Sequence, residues 1–456
     1  MIARSREIET LQRLLRRNLI VGILGARQVG KSTLAREVAA RRRDPVTYFD
    51  LENDEDLARL SDPLLALKGL RGLVVVDEIQ HRPELFRTLR VLADRGNRPC
   101  RFLVLGSASP GLLRQSSETL AGRIAYHELG GFALDEVGVP RADRLWCRGG
   151  FPRSFLAATD ADSIAWRRGF VRTFVERDLP GLGIRIAPAA LRRFWTMLAH
   201  WHGNVWNSSE FARSFGVADT TVRHYLDLLT SSLVIRQLQP WHANVAKRQV
   251  KAPKVYLVDS GLLHALLNLP RRVDVEGHPK AGASWEGFVI GEIATRLGAG
   301  FDECFFWAAH SGAELDLLVT RGGTRRGFEI KRSSSPRVTP SMRSACRSAD
   351  DASASPRSAR RVLRCRRSRR RDAKSRAGAK SAAESAESTW SCTFCIAMLI
   401  TPFRARGSDD RRPVDAFVVG YHLDALHRTV VDGFLAGLGG RGGNLRGFDH
   451  RHGIID

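Results

Sequence analysis

The chain has 456 residues and a formal net charge of +24, from 72 Lys and Arg against 48 Asp and Glu. A hydrophobic fraction of 43% suffices for packed cores, and a domain size of about 150 residues predicts about three domains. No apolar run approaches the ~20 residues of a spanning helix, and the N-terminus lacks the apolar stretch of a signal peptide. Membrane insertion and secretion are therefore not expected. The seven scattered cysteines favour reduced thiols in the cytoplasm.

The positive charge is distributed unevenly along the chain. Residues 332–456 hold 24 Lys and Arg against 12 Asp and Glu, which is half of the net charge in about a quarter of the sequence. A strongly basic protein ordinarily points to a nucleic-acid partner. Because half of the excess positive charge lies in this C-terminal tail, the charge of the whole chain is only weak evidence for a nucleic-acid partner.

Strands and helices alternate in the first third of the chain, which predicts a parallel α/β sheet. The expected strands are Leu19–Leu24, Val46–Leu51, Leu73–Asp77 and Arg101–Gly106. The expected helices cover residues 6–17, 31–42, 56–67 and 83–94.

A phosphate-binding motif lies between the first strand and the second helix. The segment GARQVGKS fits GxxxxGK[ST], the Walker A pattern, in the strand-to-helix context that this motif requires. Its backbone N–H groups and the helix N-terminus would face phosphate oxygens, Lys31 would contact the β and γ phosphates, and the Ser32 hydroxyl would bind Mg²⁺. The predicted nucleotide-binding residues are Gly25, Gln28, Val29, Gly30, Lys31, Ser32 and Thr33. A surface glycine turn with an incidental lysine is the alternative.

Two adjacent carboxylates end the strand Leu73–Asp77. Asp77 can bind the hydration shell of Mg²⁺, and Glu78 can orient or deprotonate the attacking water. The alternative is an acidic pair that only caps the next helix.

Two further residues are candidates for the same chemistry. Ser107 follows the strand Arg101–Gly106, where it could sense the γ-phosphate or simply cap a helix. Arg123 follows Gly122 and could stabilise transition-state charge within the chain or from a neighbouring subunit, with an ordinary surface arginine as the alternative.

Together these segments resemble a known family. GARQVGKS, LVVVDEIQ, VLGSAS and LAGR, in this order and spacing, are similar to prokaryotic ATPases of the extended AAA type that carry a C-terminal domain of unknown function with a restriction-endonuclease-like fold. FVERDL, VYLVDSGL, SWEGFVIGE, ELDLLV and FEIKRS agree with it, so that the resemblance covers roughly residues 1–345. It implies ATP binding and hydrolysis.

After about Pro140 the pattern becomes helical. The expected core residues of this segment are Phe170, Phe174, Leu191, Phe194, Trp195 and Leu198. Residues 208–238 have the spacing of a helix-turn-helix, with the strand Leu233–Leu238 as a wing. The second helix would expose Thr221, Arg223 and His224 and bury Val222, Tyr225 and Leu226. Phosphate contacts would come from Arg223, Lys247, Arg248 and Lys251, unless the module serves only for protein contact or as a spacer.

A second chemical constellation follows in the C-terminal region. Asp316 and the unit Glu329-x-Lys331 lie on two predicted strands, 314–320 and 326–331, and Glu286 lies on the predicted helix Trp285–Arg296. This pattern resembles the PD-(D/E)xK nucleases, in which Asp316 and Glu329 would hold a divalent ion, Glu286 would complete the shell and Lys331 would favour a hydroxide nucleophile. An inactive nuclease fold is the alternative.

Beyond residue 345 the apolar periodicity is lost. Residues 346–389 are rich in Arg, Ser and Ala, a composition typical of GC-rich coding DNA translated out of frame. We interpret the segment as a frameshift product, with a basic disordered arm as the alternative, and expect no packed domain there. Cys392 and Cys395 lack a second pair, so that no zinc site is predicted.

The predicted fold is α/β, with a P-loop NTPase parallel sheet, a helical and winged-helix-like segment, a PD-(D/E)xK nuclease-like α/β domain and a disordered or aberrant basic tail. The expected divisions are residues 1–139, 140–252, 253–345 (incomplete) and 346–456. The predicted function is a Mg²⁺-dependent AAA-type ATPase coupled to a nucleic-acid-associated C-terminal region, with ATP and Mg²⁺ as ligands. The alternatives are an ATP-gated Mg²⁺-dependent DNA nuclease and a non-hydrolysing, nucleotide-switched DNA-binding regulator. DNA and a second copy of the chain are candidate partners.

Overall fold

The computed structural model describes residues 2–95, 100–107, 119–181, 186–241, 252–308 and 314–332, together with two short strands at 401–404 and 414–419. The predicted residues Lys247, Arg248, Lys251, Cys392 and Cys395, and nearly all of the tail, lie outside these ranges.

A parallel five-stranded sheet forms the N-terminal region. Its strands are β1 (Ile20–Gly25), β2 (Val46–Asp50), β3 (Gly72–Asp77), β4 (Cys100–Ser107) and β5 (Ile124–Glu128), in the order β2-β3-β4-β1-β5. Helices flank them at Ser5–Arg17, Lys31–Ala40, Asp54–Arg59, Pro63–Lys68 and Leu85–Ala93, with a 3-10 turn at Ile79–His81. Every residue of β1 is buried, as expected of a central strand covered on both faces. The four predicted strands are confirmed; β5, whose sequence IAYHE is half polar, was not predicted.

The strand order determines which loops meet. Because β1, β3 and β4 are parallel neighbours, their carboxyl ends lie at one edge of the sheet. The Walker A loop, Asp77 and Ser107 are therefore brought to the same edge, although they are distant in sequence.

A helical region follows the first sheet. Its helices are Leu134–Val137, Ala142–Arg148, Pro152–Phe155, Asp160–Thr173, Leu179–Gly181, Pro188–Trp201, Ser208–Phe215 and Asp219–Ser231, with a 3-10 turn at Val139–Arg141 and a π-helical turn at Phe174–Asp178. All six predicted core residues are buried, which confirms this part of the prediction. They belong to one continuous apolar cluster with Val29 and Leu34 beside the phosphate motif.

The second sheet has seven strands. These are β6 (Ile235–Pro240), β7 (Lys254–Leu257), β8 (Cys304–Ala308), β9 (Glu314–Arg321), β10 (Thr324–Ile330), β11 (Thr401–Arg404) and β12 (Val414–Val419), in the order β11-β12-β10-β9-β8-β6-β7. The helices of this region are Ser260–Leu266, Arg272–Glu276 and Ala281–Leu297, with a 3-10 turn at Phe301–Glu303.

Two expectations are corrected here. The strand predicted as a wing, β6, is a member of the second sheet, where it pairs antiparallel with β7 and parallel with β8. Its apolar residues Ile235 and Leu238 are buried there. The tail does not lie wholly outside the fold either, since β12 pairs in parallel with β10 and β11 pairs with β12. The frameshift interpretation of residues 346–389 falls outside the described residues and stays a prediction.

Candidate functional site

The Walker A loop continues directly from β1 into the helix Lys31–Ala40. Gly30 has φ +100° and Gln28 has φ 63°, so both residues have a positive φ. Glycine adopts such a conformation at little cost, which explains the residue type at position 30. A Cβ at Gly25 would lie 2.7 Å from the carbonyl oxygen of Leu129. Val29 is buried, Ser32 is half-buried and Thr33 is exposed on the first turn of the helix. The loop thus has the tight backbone course that a phosphate cradle needs.

Lys31 is folded back onto its own loop. Its Nζ donates to the carbonyl oxygens of Gly25 and Ala26, each at 3.1 Å, and the residue is only 5% exposed. Burial lowers the pKa of the Lys31 ammonium, while the carboxylates of Glu78 and Asp77 act in the opposite direction. An ammonium held by two neutral carbonyls can exchange these partners for phosphate oxygens.

The acidic pair lies at the end of β3, as predicted. Asp77 is buried, its Oδ2 accepts a hydrogen bond from the Tyr48 hydroxyl, and its Oδ1 accepts one from the Glu78 backbone N–H at 3.0 Å. Burial and this carboxylate raise the pKa of Tyr48, so that the phenol remains a donor. Glu78 is half-buried and has φ 54°, an uncommon conformation for a residue other than glycine.

Ser107 lies beside this pair at the end of β4. It is 7% exposed, and its Oγ has no hydrogen-bond partner among the described residues. The amide of Gln80 connects it to Glu78: Gln80 Nε2 donates to Glu78 Oε2, and Gln80 Oε1 accepts from the Ser107 backbone N–H at 3.3 Å. Gln80 and Tyr48 were missed in the sequence analysis, because the contacts that give them a role come only with the fold.

Arg27 connects the Walker A loop to the helical region. Its guanidinium donates to Asp178 Oδ1 in the π-helical turn and to Glu52 Oε1 at 3.3 Å. The Asp178 side chain is only 6% exposed, whereas that of Arg27 is 29% exposed. FVERDL, a segment that supported the resemblance, therefore supplies an ion-pair partner to the phosphate loop.

Arg123 lies away from this edge of the sheet. It immediately precedes β5, whose first residue pairs with Ile20 at the start of β1, whereas the phosphate loop follows the end of β1. Arg123 forms a bidentate ion pair with Asp94. Arg123 is therefore not among the residues at the carboxyl edge of the sheet, and its catalytic role, within the chain or from a neighbouring subunit, stays a prediction.

The predicted helix-turn-helix spacing corresponds to two helices, Ser208–Phe215 and Asp219–Ser231, joined by a turn in which Gly216 has φ 66°. On the second helix Arg223 and His224 are exposed, whereas Val222 and Leu226 are buried, as predicted. Thr221 and Tyr225 are half-buried.

The four nuclease-like residues also come together in the structure. Asp316 on β9 and Glu329 on the adjacent strand β10 are buried, and Asp316 Oδ2 accepts from the backbone N–H of Ile330 at 2.7 Å. Burial, then the charge of Glu286, raises the pKa of Asp316 to about 7, and burial together with Asp316 raises the pKa of Glu329. Lys331 Nζ lies 2.7 Å from Glu329 Oε1.

A buried lysine lies among these carboxylates. Lys254 on β7 forms ion pairs with Glu286 Oε1, at 3.4 Å, and with Glu314. Although burial opposes it, the charges of Glu286, Glu314 and Asp316 raise the pKa of Lys254. Within the described ranges, no three His, Cys, Asp or Glu side chains are grouped so that they could hold a metal ion. Lys254 supplies positive charge inside this acidic cluster.

The residues at the edge of the first sheet fit Mg²⁺ and a nucleotide. The donor set contains a lysine ammonium, a serine hydroxyl, a buried carboxylate and the buried hydroxyl of Ser107, which has no hydrogen-bond partner among the residues that the structure describes. Hydroxyl and carboxylate oxygens suit Mg²⁺, and backbone amides with a lysine suit phosphates. The described part of the chain includes no helix long and apolar enough to span a membrane.

Three known domain families match the chain in succession. An AAA domain matches residues 17–138, a domain of unknown function (DUF8612) matches residues 140–272, and another (DUF4143) matches residues 281–377. The last match extends past residue 345, so the expectation that the resemblance ends there is corrected. The AAA match covers the whole edge of the sheet from the Walker A loop to Ser107.

Two curated mycobacterial proteins are similar over most of the chain. Uncharacterized protein Rv2008c of Mycobacterium tuberculosis and uncharacterized protein Mb2031c of Mycobacterium bovis are each 51% identical to it over 345 residues, which is 76% of this chain and 77% of theirs. Among solved structures, the Walker-type ATPase paby2304 of Pyrococcus abyssi is 16% identical, with a TM-score of 0.42 over 59% of this chain and 96% of that one. This structural similarity is too low to bear on fold or activity.

Proposed function

Since the chain belongs to the same family as mycobacterial Rv2008c and Mb2031c and contains an AAA domain, we propose that it is a Mg²⁺-dependent ATPase. The AAA domain by itself supports nucleotide binding. We further propose that the bound ATP is hydrolysed and that hydrolysis is coupled to the regions that follow the AAA domain.

One observation supports the proposal above the others. The Walker A loop, the pair Asp77-Glu78 and Ser107 lie at the carboxyl ends of the neighbouring strands β1, β3 and β4. In phosphoryl transfer, catalysis depends mainly on positioning and on charge stabilisation. This edge of the sheet meets that requirement, because it combines the Walker A loop for the phosphates, Asp77 for the metal ion and Glu78 for the attacking water.

Each residue then has a distinct task. With a nucleotide bound, Lys31 would exchange the carbonyls of its loop for the β and γ phosphates, Ser32 would hold Mg²⁺ through its hydroxyl, and Asp77 would bind the hydration shell of the ion. The ion supplies charge neutralisation for the phosphates when it is bound. Glu78 orients the attacking water and accepts its proton, and Ser107 donates its buried hydroxyl to the γ-phosphate.

The direct test is nucleotide binding and hydrolysis by the purified full chain. Binding of a fluorescent ATP analogue and release of inorganic phosphate are measured with Mg²⁺ and again with EDTA. We expect binding and turnover with ATP, both weakened by EDTA, and a preference over GTP because the sequence contains no guanine-specific NKxD segment. Full phosphate release in EDTA would contradict the Mg²⁺ dependence.

A nucleotide-switched DNA-binding regulator is the second candidate. It is favoured by the helix pair around Gly216, which leaves Arg223 and His224 exposed on its second helix. Contacts to DNA phosphates release counterions, so that affinity should fall steeply as salt rises. The test compares duplex DNA binding by the wild type and Arg223→Ala, with ATP turnover recorded for both. Binding without turnover would favour the regulator, and equal affinity of the two proteins would remove the helix pair as the contact.

The ATP-gated nuclease has less support. The ammonium of Lys254 lies between Glu286 and Glu314, where it contributes the positive charge that a divalent ion would otherwise bring. Cleavage of DNA in Mg²⁺ that is lost on Asp316→Ala would establish this activity against our expectation.

A further inference from the structure

Gln80 lies two residues after the assigned base and spans two strand ends. Its Nε2 donates to Glu78 Oε2 at the end of β3, and its Oε1 accepts from the backbone N–H of Ser107 at the end of β4, at 3.3 Å. Because β3 and β4 are neighbours, one amide side chain connects the group that would activate water to the residue that would face the γ-phosphate.

We propose that Gln80 is a positioning residue that holds the Glu78 carboxylate for attack of water on the γ-phosphate. The inference rests on the proposed ATPase function and adds a residue to it. A carboxylate fixed through one oxygen keeps its second oxygen as an acceptor for the proton of water. The donor amide restricts rotation of the group, and misplacement of a catalytic group by about 1 Å can cost a hundredfold in rate.

The backbone of Glu78 is itself held in an uncommon conformation. Its φ of 54° lies in the left-handed region, and residues in this region persist where the surroundings hold them. Here the Glu78 N–H is held by Asp77 Oδ1 at 3.0 Å, while the side chain is held by Gln80. With both ends held, the carboxylate has a defined direction at the edge of the sheet.

The contact to Ser107 links this anchor to phosphate binding. The Ser107 hydroxyl is buried and has no hydrogen-bond partner in the described part of the chain, whereas its backbone N–H is bonded to Gln80. A phosphate that accepts a hydrogen bond from the Ser107 hydroxyl would therefore contact the residue whose backbone N–H is bonded to Gln80. The same Gln80 side chain donates to Glu78. Gln80 would thereby hold the base in a fixed position relative to a bound γ-phosphate.

Two substitutions separate positioning from packing. Gln80→Glu keeps the shape of the side chain and an acceptor for the Ser107 N–H, but it loses the donor to Glu78. Gln80→Met approximates the shape and loses both bonds. Gln237→Met is the matched control, because Gln237 on β6 also donates to a carboxylate, Asp227 Oδ1, at 3.0 Å.

The experiment measures kcat for ATP and the Kd of an ATP analogue for the full-length wild type and the three variants. Both Gln80 variants should lose about 10- to 100-fold in kcat while Kd stays within about threefold, since general-base catalysis is worth about 10²- to 10⁴-fold. Gln237→Met should match the wild type in both quantities.

Three results would overturn the inference. Gln80→Glu with a kcat near that of the wild type would assign the residue to packing alone. A loss of Kd that equals the loss of kcat would assign it to nucleotide binding. A wild type that binds nucleotide but never releases phosphate would refute the ATPase proposal, and the inference with it.

Discussion

The ion pair between Arg27 and Asp178 should stabilise the attachment of the helical region to the phosphate loop. The perturbation is Asp178→Asn, which keeps the size of the side chain and removes its charge. Hydrogen bonds to charged groups contribute about 1.5–3 kcal/mol, and removal of one partner from a fully buried pair costs about 3–5 kcal/mol. Because Arg27 is 29% exposed and keeps Glu52 at 3.3 Å, it is not left without a partner, and we expect a loss of about 1–3 kcal/mol.

The assay is urea unfolding of the nucleotide-free protein at pH 7, followed by tryptophan fluorescence. Asp160→Asn is the control, because it breaks an Arg–Asp pair in the same helical region whose carboxylate is 51% exposed. Exposed pairs contribute about 0.2–1 kcal/mol, so the control should shift the midpoint less. Combining Asp178→Asn with Arg27→Met should cost less than the two single losses added. Equal midpoint shifts for Asp178→Asn and Asp160→Asn would refute the reasoning.

Three further outcomes are expected. Lys31→Ala should abolish binding of a fluorescent ATP analogue, whereas Lys68→Ala, on the exposed helix Pro63–Lys68, should leave it intact. Burial raises the pKa of the Glu292 carboxyl from 4.5 to about 8. The stability that this carboxyl contributes is therefore complete below pH 4.5 and is lost as the pH rises through 8. Glu292→Gln should accordingly raise the Tm at pH 9 and change it little at pH 5. Lys254→Met should cost about 1.5–3 kcal/mol in urea unfolding because it removes a buried ammonium that is paired with Glu286 and Glu314, whose side chains are 19% and 41% exposed, and the half-exposed Lys331→Met should cost clearly less.

The first sheet and its site were largely predictable because their signals are local. A buried apolar strand, the glycine spacing around Lys31 and the pair Asp77-Glu78 are each complete within a few residues. Their common location follows from the order β3-β4-β1, which periodicity does not reveal. The strand β5 was missed because its sequence IAYHE alternates too weakly to stand out.

Contacts between distant segments were beyond the sequence analysis. Nothing near Arg27 indicates that its partner lies at Asp178, and nothing near Glu286 indicates Lys254. The strand β6 follows the helix pair directly and resembled a wing, yet its buried residues pair it with β7 and β8. The same limit applies to β12, whose partner β10 ends more than eighty residues earlier in the chain.

The central claim is tested most directly by phosphate release from Mg²⁺-ATP by the wild type and Glu78→Gln, each at saturating nucleotide. The substitution keeps the size of the side chain and removes the base, so that the variant should bind ATP as the wild type does and lose at least about 100-fold in kcat. Binding of the ATP analogue by both proteins serves as the control for an intact site. Equal phosphate release by wild type and Glu78→Gln would contradict the account.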